Sequence, residues 1–300
     1  MTRLGDLLRK QGHFLLENDY YALLYIVICA LIPFTAWLSA AIVALVTLRK
    51  GWFDGFRGLA VGISSLLILS LMSMPLFGAF VTTIMAFLPC YLAAVVLRAT
   101  ASWRITGGFI VLQALLGIIL IHWLTPEFIT AQYQYIQVML KQLEADSSVN
   151  SLLDNQNQVI FSNYLVGIQV LSVVVSTLVS LMLARSVQAR IFYPGGYRQE
   201  MLNFRASGWG VALLILVAIG AYQYNPIALS CLPVLVLYYV CAGLSLSFNI
   251  LAKGRGISTL LLLVIPLVLV PFVMLPVYVI FGVLDSLFNF RIRLQNVGGK

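Results

Sequence analysis

The sequence predicts an all-α fold, a polytopic bundle of transmembrane helices. Three observations predict it. Hydrophobic residues make up 61% of the 300 and charged residues only 9%. A soluble domain averages about 25% charged residues, so this chain has too few polar side chains to coat a water-facing surface. The apolar residues are gathered into about eight runs, several reaching the ~20 residues needed to cross a core of roughly 30 Å. These runs are solid, as in STLLLLVIPLVLVPFVMLPVYVIF from Ser258 to Phe281, and lack the alternation of barrel strands.

The runs are 20–48, 53–73, 76–98, 105–125, 158–184, 208–224, 227–250 and 257–283. Ahead of the first, residues 1–19 form a cytoplasmic amphipathic segment. Leu4, Leu7, Leu8, Phe14 and Leu15 share one helical face, with Arg3, Asp6, Arg9 and Lys10 elsewhere. Such a segment suits an anionic membrane surface or a solvated tail. No cleavable signal peptide is expected, because the first apolar run is longer than a signal core. That run carries Pro33 near its middle. Pro75 separates the next two, and Arg98 to Arg104 close the third. Residues 126–157 are polar, with Ile129, Ile136, Met139 or Leu140, and Leu143 spaced for an amphipathic helix that lies on the membrane or acts as a lid. The fifth run ends in a polar insert, 185–207, with a Pro194-Gly195-Gly196 turn. Asn225-Pro226 and the KGRG of 253–256 punctuate the remainder, and the last run holds Pro266, Pro271 and Pro276.

Charge orients these segments, because cytoplasmic loops collect Lys and Arg. The stretch 126–157 has one basic residue, Lys141, against four acids, and is expected outside. Counting from it puts 49–57, 98–104, 185–207 and 251–256 inside. Single crossings at both ends would leave 11 of the 18 basic residues inside and 7 outside. If each terminal run turns back at its prolines, 17 lie inside and only Lys141 outside. Both termini are therefore expected in the cytoplasm, with re-entrant terminal runs. Residues 20–300 read as a single transmembrane domain.

Several chemistries have no motif here. There is no H-E-x-x-H, P-loop or G-x-S-x-G, and no pair of carboxylates inside an apolar run. An intramembrane enzyme or proton pump needs ionisable groups at depth, so no enzymatic activity, catalytic residue, metal or cofactor is expected. Cys29, Cys90, Cys231 and Cys241 lie inside apolar runs without a C-x-x-C pattern and read as small buried hydrophobes. The net charge of +8 sits in short loops, which sets topology and does not imply nucleic acid.

Polar residues inside the runs are neutral: Gln113, Asn163, Gln169, Ser245 and Asn249. Residues of this kind hydrogen-bond neighbouring helices. His122, Trp123, Asn163, Tyr222 and Tyr224 fall near the outer ends of their runs, where aromatic residues form an interfacial belt. With Gln113 and Gln169 they also suit a small-molecule pocket. Both readings stand. Arg185, Arg190, Arg198 and Arg205 of the insert set topology, or contact a membrane-protein partner or anionic lipid. Ala36, Ala40 and Ala44 are spaced four apart, and Gly51, Gly55, Gly58 and Gly62 follow. This spacing lets helices approach closely, within the bundle or against another subunit. Asp285, followed by Arg291 and Arg293, sits at the edge of the last run, where a carboxylate is cheaply solvated. It caps a helix or pairs with an arginine.

The stretches LARSVQARIFYPGGYRQEMLNFR and FGVLDSLFNFRIR, and more weakly LIPFTAW with LRKGWFDG, resemble the YybS-like family of bacterial membrane proteins, which carries no assigned activity. That family is distantly similar to the substrate-binding S-components of energy-coupling-factor transporters and to the rod-shape protein MreD. The resemblance implies either a small-molecule binding or transport component, or a cell-envelope scaffold. S-components often dock their coupling subunit through an A-x-x-x-A face on the first helix, and Ala36, Ala40 and Ala44 match that spacing.

Overall fold

The computed structural model describes residues 17–125, 155–251 and 257–291, together with Gly12, Phe14, Glu127, Ile129, Ala131 and Gln134. Most of the 1–19 segment and of the 126–157 stretch lies outside the described residues, as do Lys141, Arg293 and the KGRG of 253–256. The described secondary structure is helical, with no strand. The helices are α1 (Asp19–Leu31), α2 (Ala36–Lys50), α3 (Trp52–Leu71), α4 (Leu76–Thr100), α5 (Trp103–Leu124), α6 (Asn155–Phe192), α7 (Gly196–Leu202), α8 (Trp209–Tyr222), α9 (Pro226–Leu251), α10 (Ile257–Leu269) and α11 (Pro271–Phe288). Their contacts divide the chain into two compact units. The first is Met1–Ile110 with Val173–Asn203, the second Val111–Ser172 with Phe204–Lys300.

Six of the described helices are long and apolar enough to cross a bilayer: α3, α4, α5, α6, α9 and α11. The protein is therefore a multi-pass membrane protein in contact with lipid. Six such helices among the described residues do not by themselves establish the expected count of about eight apolar runs. The first run is split into α1 and α2, of 13 and 15 residues. At 1.5 Å per residue these reach only about 20 Å and 22 Å. The run 208–224 supplies a 14-residue helix, α8.

In the first unit, the run 20–48 doubles back. Ser39 Oγ donates to Ile26 O at 2.8 Å, and Thr35 Oγ1 donates to Cys29 O at 2.5 Å. Thirteen residues along a continuous helix would separate Ser39 from Ile26 by about 20 Å. The break falls at Pro33, followed by Phe34 with φ of +65°, and Asp19 at the start of α1 pairs with Lys50 at the end of α2. Helix α2 is buried from Ser39 to Leu48. Glycines of α3 let its neighbours approach: a Cβ on Gly55 would meet Thr47 Oγ1 of α2 at 2.1 Å, and one on Gly62 would meet the Phe87 ring of α4 at 2.9 Å.

In the second unit, α9 is the central helix and pairs most extensively with α11. Glycines again permit the approach. A Cβ on Gly243 would lie 2.0 Å from Tyr278 O, and one on Gly282 would lie 2.2 Å from Tyr239 O. The last run also doubles back, since Tyr278 Oη donates to Leu263 O at 2.9 Å across 15 residues. Of its three prolines only Pro271 marks the break, at the first position of α11, where a missing N–H costs nothing. Pro266 and Pro276 lie inside α10 and α11, as membrane helices tolerate.

Candidate functional site

The residues expected to form an outer pocket separate into two groups. His122 and Asn163 meet: Asn163 Oδ1 lies 2.9 Å from His122 Nε2, while Nδ1 donates to Ile118 O at 2.9 Å. Ser230 of α9 completes the cluster, its hydroxyl donating to Asn163 O at 2.9 Å and lying 3.5 Å from Nε2. Gly167 lets α6 approach here, since a Cβ on it would lie 2.6 Å from Ser230 O. Asn163 and Ser230 are 3% and 0% exposed, so the knot leaves the Ser230 hydroxyl sealed and committed to a carbonyl. It fastens three helices together. Trp123, Tyr222 and Tyr224 are strongly exposed, and Gln169 is exposed as well, as an interfacial belt requires. Gln113 is half-buried, two and a half turns back along α5, and its Nε2 is buried without a hydrogen-bond partner among the described residues.

The alanine stripe also turns inward. Ala40 and Ala44 are 1% and 0% exposed. Ala40 O receives the Cys90 thiol of α4 at 3.7 Å, and Trp37 O receives Ser180 Oγ of α6 at 2.7 Å. Only Ala36 stays half-buried. The face that would meet a foreign subunit is occupied by helices of the same unit.

The arginine insert is more ordered than a loop. Helix α6 continues through Arg185 and Arg190 to Phe192, because Ala-Arg-Ser-Val-Gln-Ala-Arg contains good helix formers and loss of hydrophobicity alone does not end a helix. Gly195, at φ of +91°, makes the turn into α7, a conformation glycine adopts without steric cost. Glu200 of α7 then reaches back. It accepts from Arg185 Nε at 3.0 Å, again from Arg185 Nη2, and from Trp103 Nε1 at 2.9 Å. Arg185 Nη1 donates to Gln188 Oε1 at 2.7 Å, and Gln188 Nε2 reaches Leu48 O at 3.4 Å. Burial alone would raise the Glu200 pKa, but the Arg185 and Trp103 hydrogen bonds and the guanidinium charge together hold it below the usual carboxylate range. Burial, and then the Glu200 charge, push Tyr197 up to about 12.

This network gathers the ends of α2, α4, α5 and α6 at one end of the first unit. Arg98 Nη1 donates to Thr47 O at 2.9 Å, and the Arg49 guanidinium lies 3.9 Å over the Phe192 ring. The basic stretches 49–57, 98–104 and 185–203 therefore share that end. Arg190, Arg198 and Tyr193 are exposed there. An open cavity of about 440 Å³ lies beside α6, lined by Met182, Leu183, Ser186, Ala189, Arg190 and Tyr197 among others.

The four arginines thus have different employment. Arg185 is tied to Glu200. Arg205, in the second unit, donates to Asp285 O at 2.9 Å and Ser286 O at 2.7 Å, capping the carbonyl end of α11. Arg190 and Arg198 carry no ion pair among the described residues. Asp285 is not the solvated boundary carboxylate expected. It is 0% exposed and pairs with Arg291 Nε at 3.0 Å, and Arg291 also donates to Phe204 O at 2.6 Å and to Ser245 Oγ at 3.3 Å.

Glu200 and Ser230 were not legible as site features, since their partners lie 15 and 67 residues away. The Asp285–Arg291 pairing, six residues apart, is one of the two expected roles of that carboxylate. Among the described residues no three His, Cys, Asp or Glu side chains come close enough to hold a metal ion. No protein-family model matches the chain, and no curated protein or solved structure is significantly similar to it.

Proposed function

We propose that this multi-pass membrane protein is a non-enzymatic component of the bacterial inner membrane that acts as an assembly scaffold, with the arginine insert as its cytoplasmic docking platform. One observation carries the reading. Glu200 clamps the insert in a fixed shape through Arg185 and Trp103, leaving Tyr193 and Arg198 exposed, the arginine with no ion pair among the described residues. A surface built rigid and left charged lowers the ordering cost of binding a partner. The clustering of basic stretches at one end of the first unit supports a cytoplasmic placement through the positive-inside rule, and with it cytoplasmic termini.

The test is site-specific photo-crosslinking in intact cells. A photoreactive residue at Tyr193 or Arg198 is expected to give defined protein adducts, and one at Trp123 or Tyr222 none. Adducts from neither insert position refute the docking platform. Sidedness is checked separately with cysteines at Ser148 and Lys300, of which only the first is expected to react with an impermeant reagent from outside.

A second reading, small-molecule binding or transport in the manner of an S-component, is favoured by Gln113, whose buried Nε2 lacks a partner among the described residues. A ligand carbonyl would satisfy it. Thermal-shift screening against vitamins and nucleobases tests it, and a stabilisation abolished by Gln113→Leu is the result expected of that reading.

A further inference from the structure

We propose that the cavity beside the end of α6 is a specific site for one anionic phospholipid, with the headgroup phosphate at Arg190 and Tyr197 and acyl chain against Met182 and Leu183. Residues 182, 183, 186, 189 and 190 follow a helical stripe, so one face of α6 lines the cavity. Eight residues separate Met182 from Arg190, about 12 Å along the axis. Over that distance the lining changes from apolar side chains, at the end of the apolar stretch of α6, to a guanidinium and a phenol on the polar insert. This polarity gradient runs the same way as that of a lipid, tail first.

The chemistry at the polar end selects an anion. Arg190 is exposed and has no ion pair among the described residues, so its charge is available. Guanidinium geometry matches phosphate oxygens. Tyr197, a phenol that is protonated at neutral pH, lines the cavity and offers a hydroxyl donor. The floor is preorganised, because Glu200 locks α7 to α6 and Tyr197 sits one turn from it on α7. Ser186 Oγ donates to Leu183 O at 2.9 Å and so presents no competing free donor. A soluble anion would have no use for the Met182–Leu183 end. The inference rests on α6 crossing the bilayer and on no protein partner, so it stands or falls separately from the docking platform.

The full-length protein in detergent micelles, titrated with phosphatidylglycerol or phosphatidylcholine and read by native mass spectrometry, tests this directly. The wild type is expected to retain phosphatidylglycerol preferentially. Arg190→Gln is expected to lower that retention roughly fivefold, the weight of one arginine at an anionic surface, with Arg190→Lys keeping most of it and Arg198→Gln near wild type. Ser186→Phe, which fills the cavity and leaves the arginine in place, is expected to abolish the preference. Equal losses from Arg190→Gln and Arg198→Gln would mean diffuse surface charge and overturn the site. So would an unchanged preference in Ser186→Phe. Displacement of bound phosphatidylglycerol by equimolar glycerol phosphate would assign the cavity to a free anion instead and overturn the lipid.

Discussion

Replacing Arg291 with methionine tests how the second unit is held at its polar end. The substitution keeps the length of the stem and removes the charge and all donors. Asp285 is fully buried, and its Oδ2 lies 3.0 Å from Arg291 Nε. At an effective dielectric of 20, two unit charges at that distance attract by about 5–6 kcal/mol. Removing one partner of a buried pair costs about 3–5 kcal/mol, because the other charge is left uncompensated. Here the lower part of that range is expected. Arg205 stays beside Asp285, donating to its main-chain oxygen at 2.9 Å, and its charge offsets part of the loss. Arg291→Met also removes the guanidinium's bond to Phe204 O, which Ser245 Oγ still reaches at 3.0 Å, a net cost of roughly 1 kcal/mol for a typical hydrogen bond. Thermal melting of the detergent-solubilised protein, followed by tryptophan fluorescence, is the assay. At roughly 2–4 °C per kcal/mol, a total of about 4 kcal/mol is expected to lower the midpoint by about 8–16 °C. The double variant Asp285→Asn/Arg291→Met buries no net charge at the pair and is expected to recover a good part of the loss. A single variant within 2 °C of wild type, or a double variant worse than either single, would refute the reasoning.

Three further outcomes follow from the geometry. Because Glu200 is held below its ordinary value of 4.5, its stabilising effect is fully present above that pH and is lost only as pH falls through the lowered pKa. Trp103 emission is therefore expected to stay flat from pH 7 to 5 and to change in more acid solution, with Arg185→Gln moving the change upward; a transition between pH 7 and 5 in the wild type would contradict this. Gly243→Ala and Gly282→Ala force α9 from α11 and are each expected to cost about 1–3 kcal/mol by overpacking. Gly117→Ala on α5 meets nothing within 4 Å and is expected to be neutral or stabilising by about 0.5–1 kcal/mol, all read as melting midpoints. Ser230→Ala removes the hydroxyl's bond to Asn163 O, one net hydrogen bond, and is expected to cost about 0.5–1.5 kcal/mol, while cross-linking at Tyr193 stays unchanged.

By itself the sequence determined that the chain is helical and that it crosses a membrane several times. In hydrocarbon every backbone N–H and C=O must find its partner within the segment, so a solid apolar run leaves the chain no alternative to a helix. It also marked Pro33 as the break in the first run, while in the last run it offered three prolines, of which the turn between α10 and α11 uses Pro271. Gly55 and Gly62 were legible as packing residues from their spacing alone. Helix ends were less legible. The insert's polarity marks where apolar sequence stops, yet the α6 backbone bonds continue to Phe192.

Tertiary structure alone decided which polar groups meet. Gly243 and Gly282 carry no pattern that separates them from other glycines, and their role exists only because α9 and α11 cross there. His122 and Asn163 were legible as neighbours in depth, but the third member, Ser230, is one hydroxyl among many in apolar sequence. Arg185 and Arg190 look alike along the chain. One is tied to Glu200 and the other faces a cavity, and the difference arises when the turn at Gly195 folds α7 back onto α6. A charge's role depends on what surrounds it in three dimensions, because desolvation and pairing are properties of the folded environment and not of the residue.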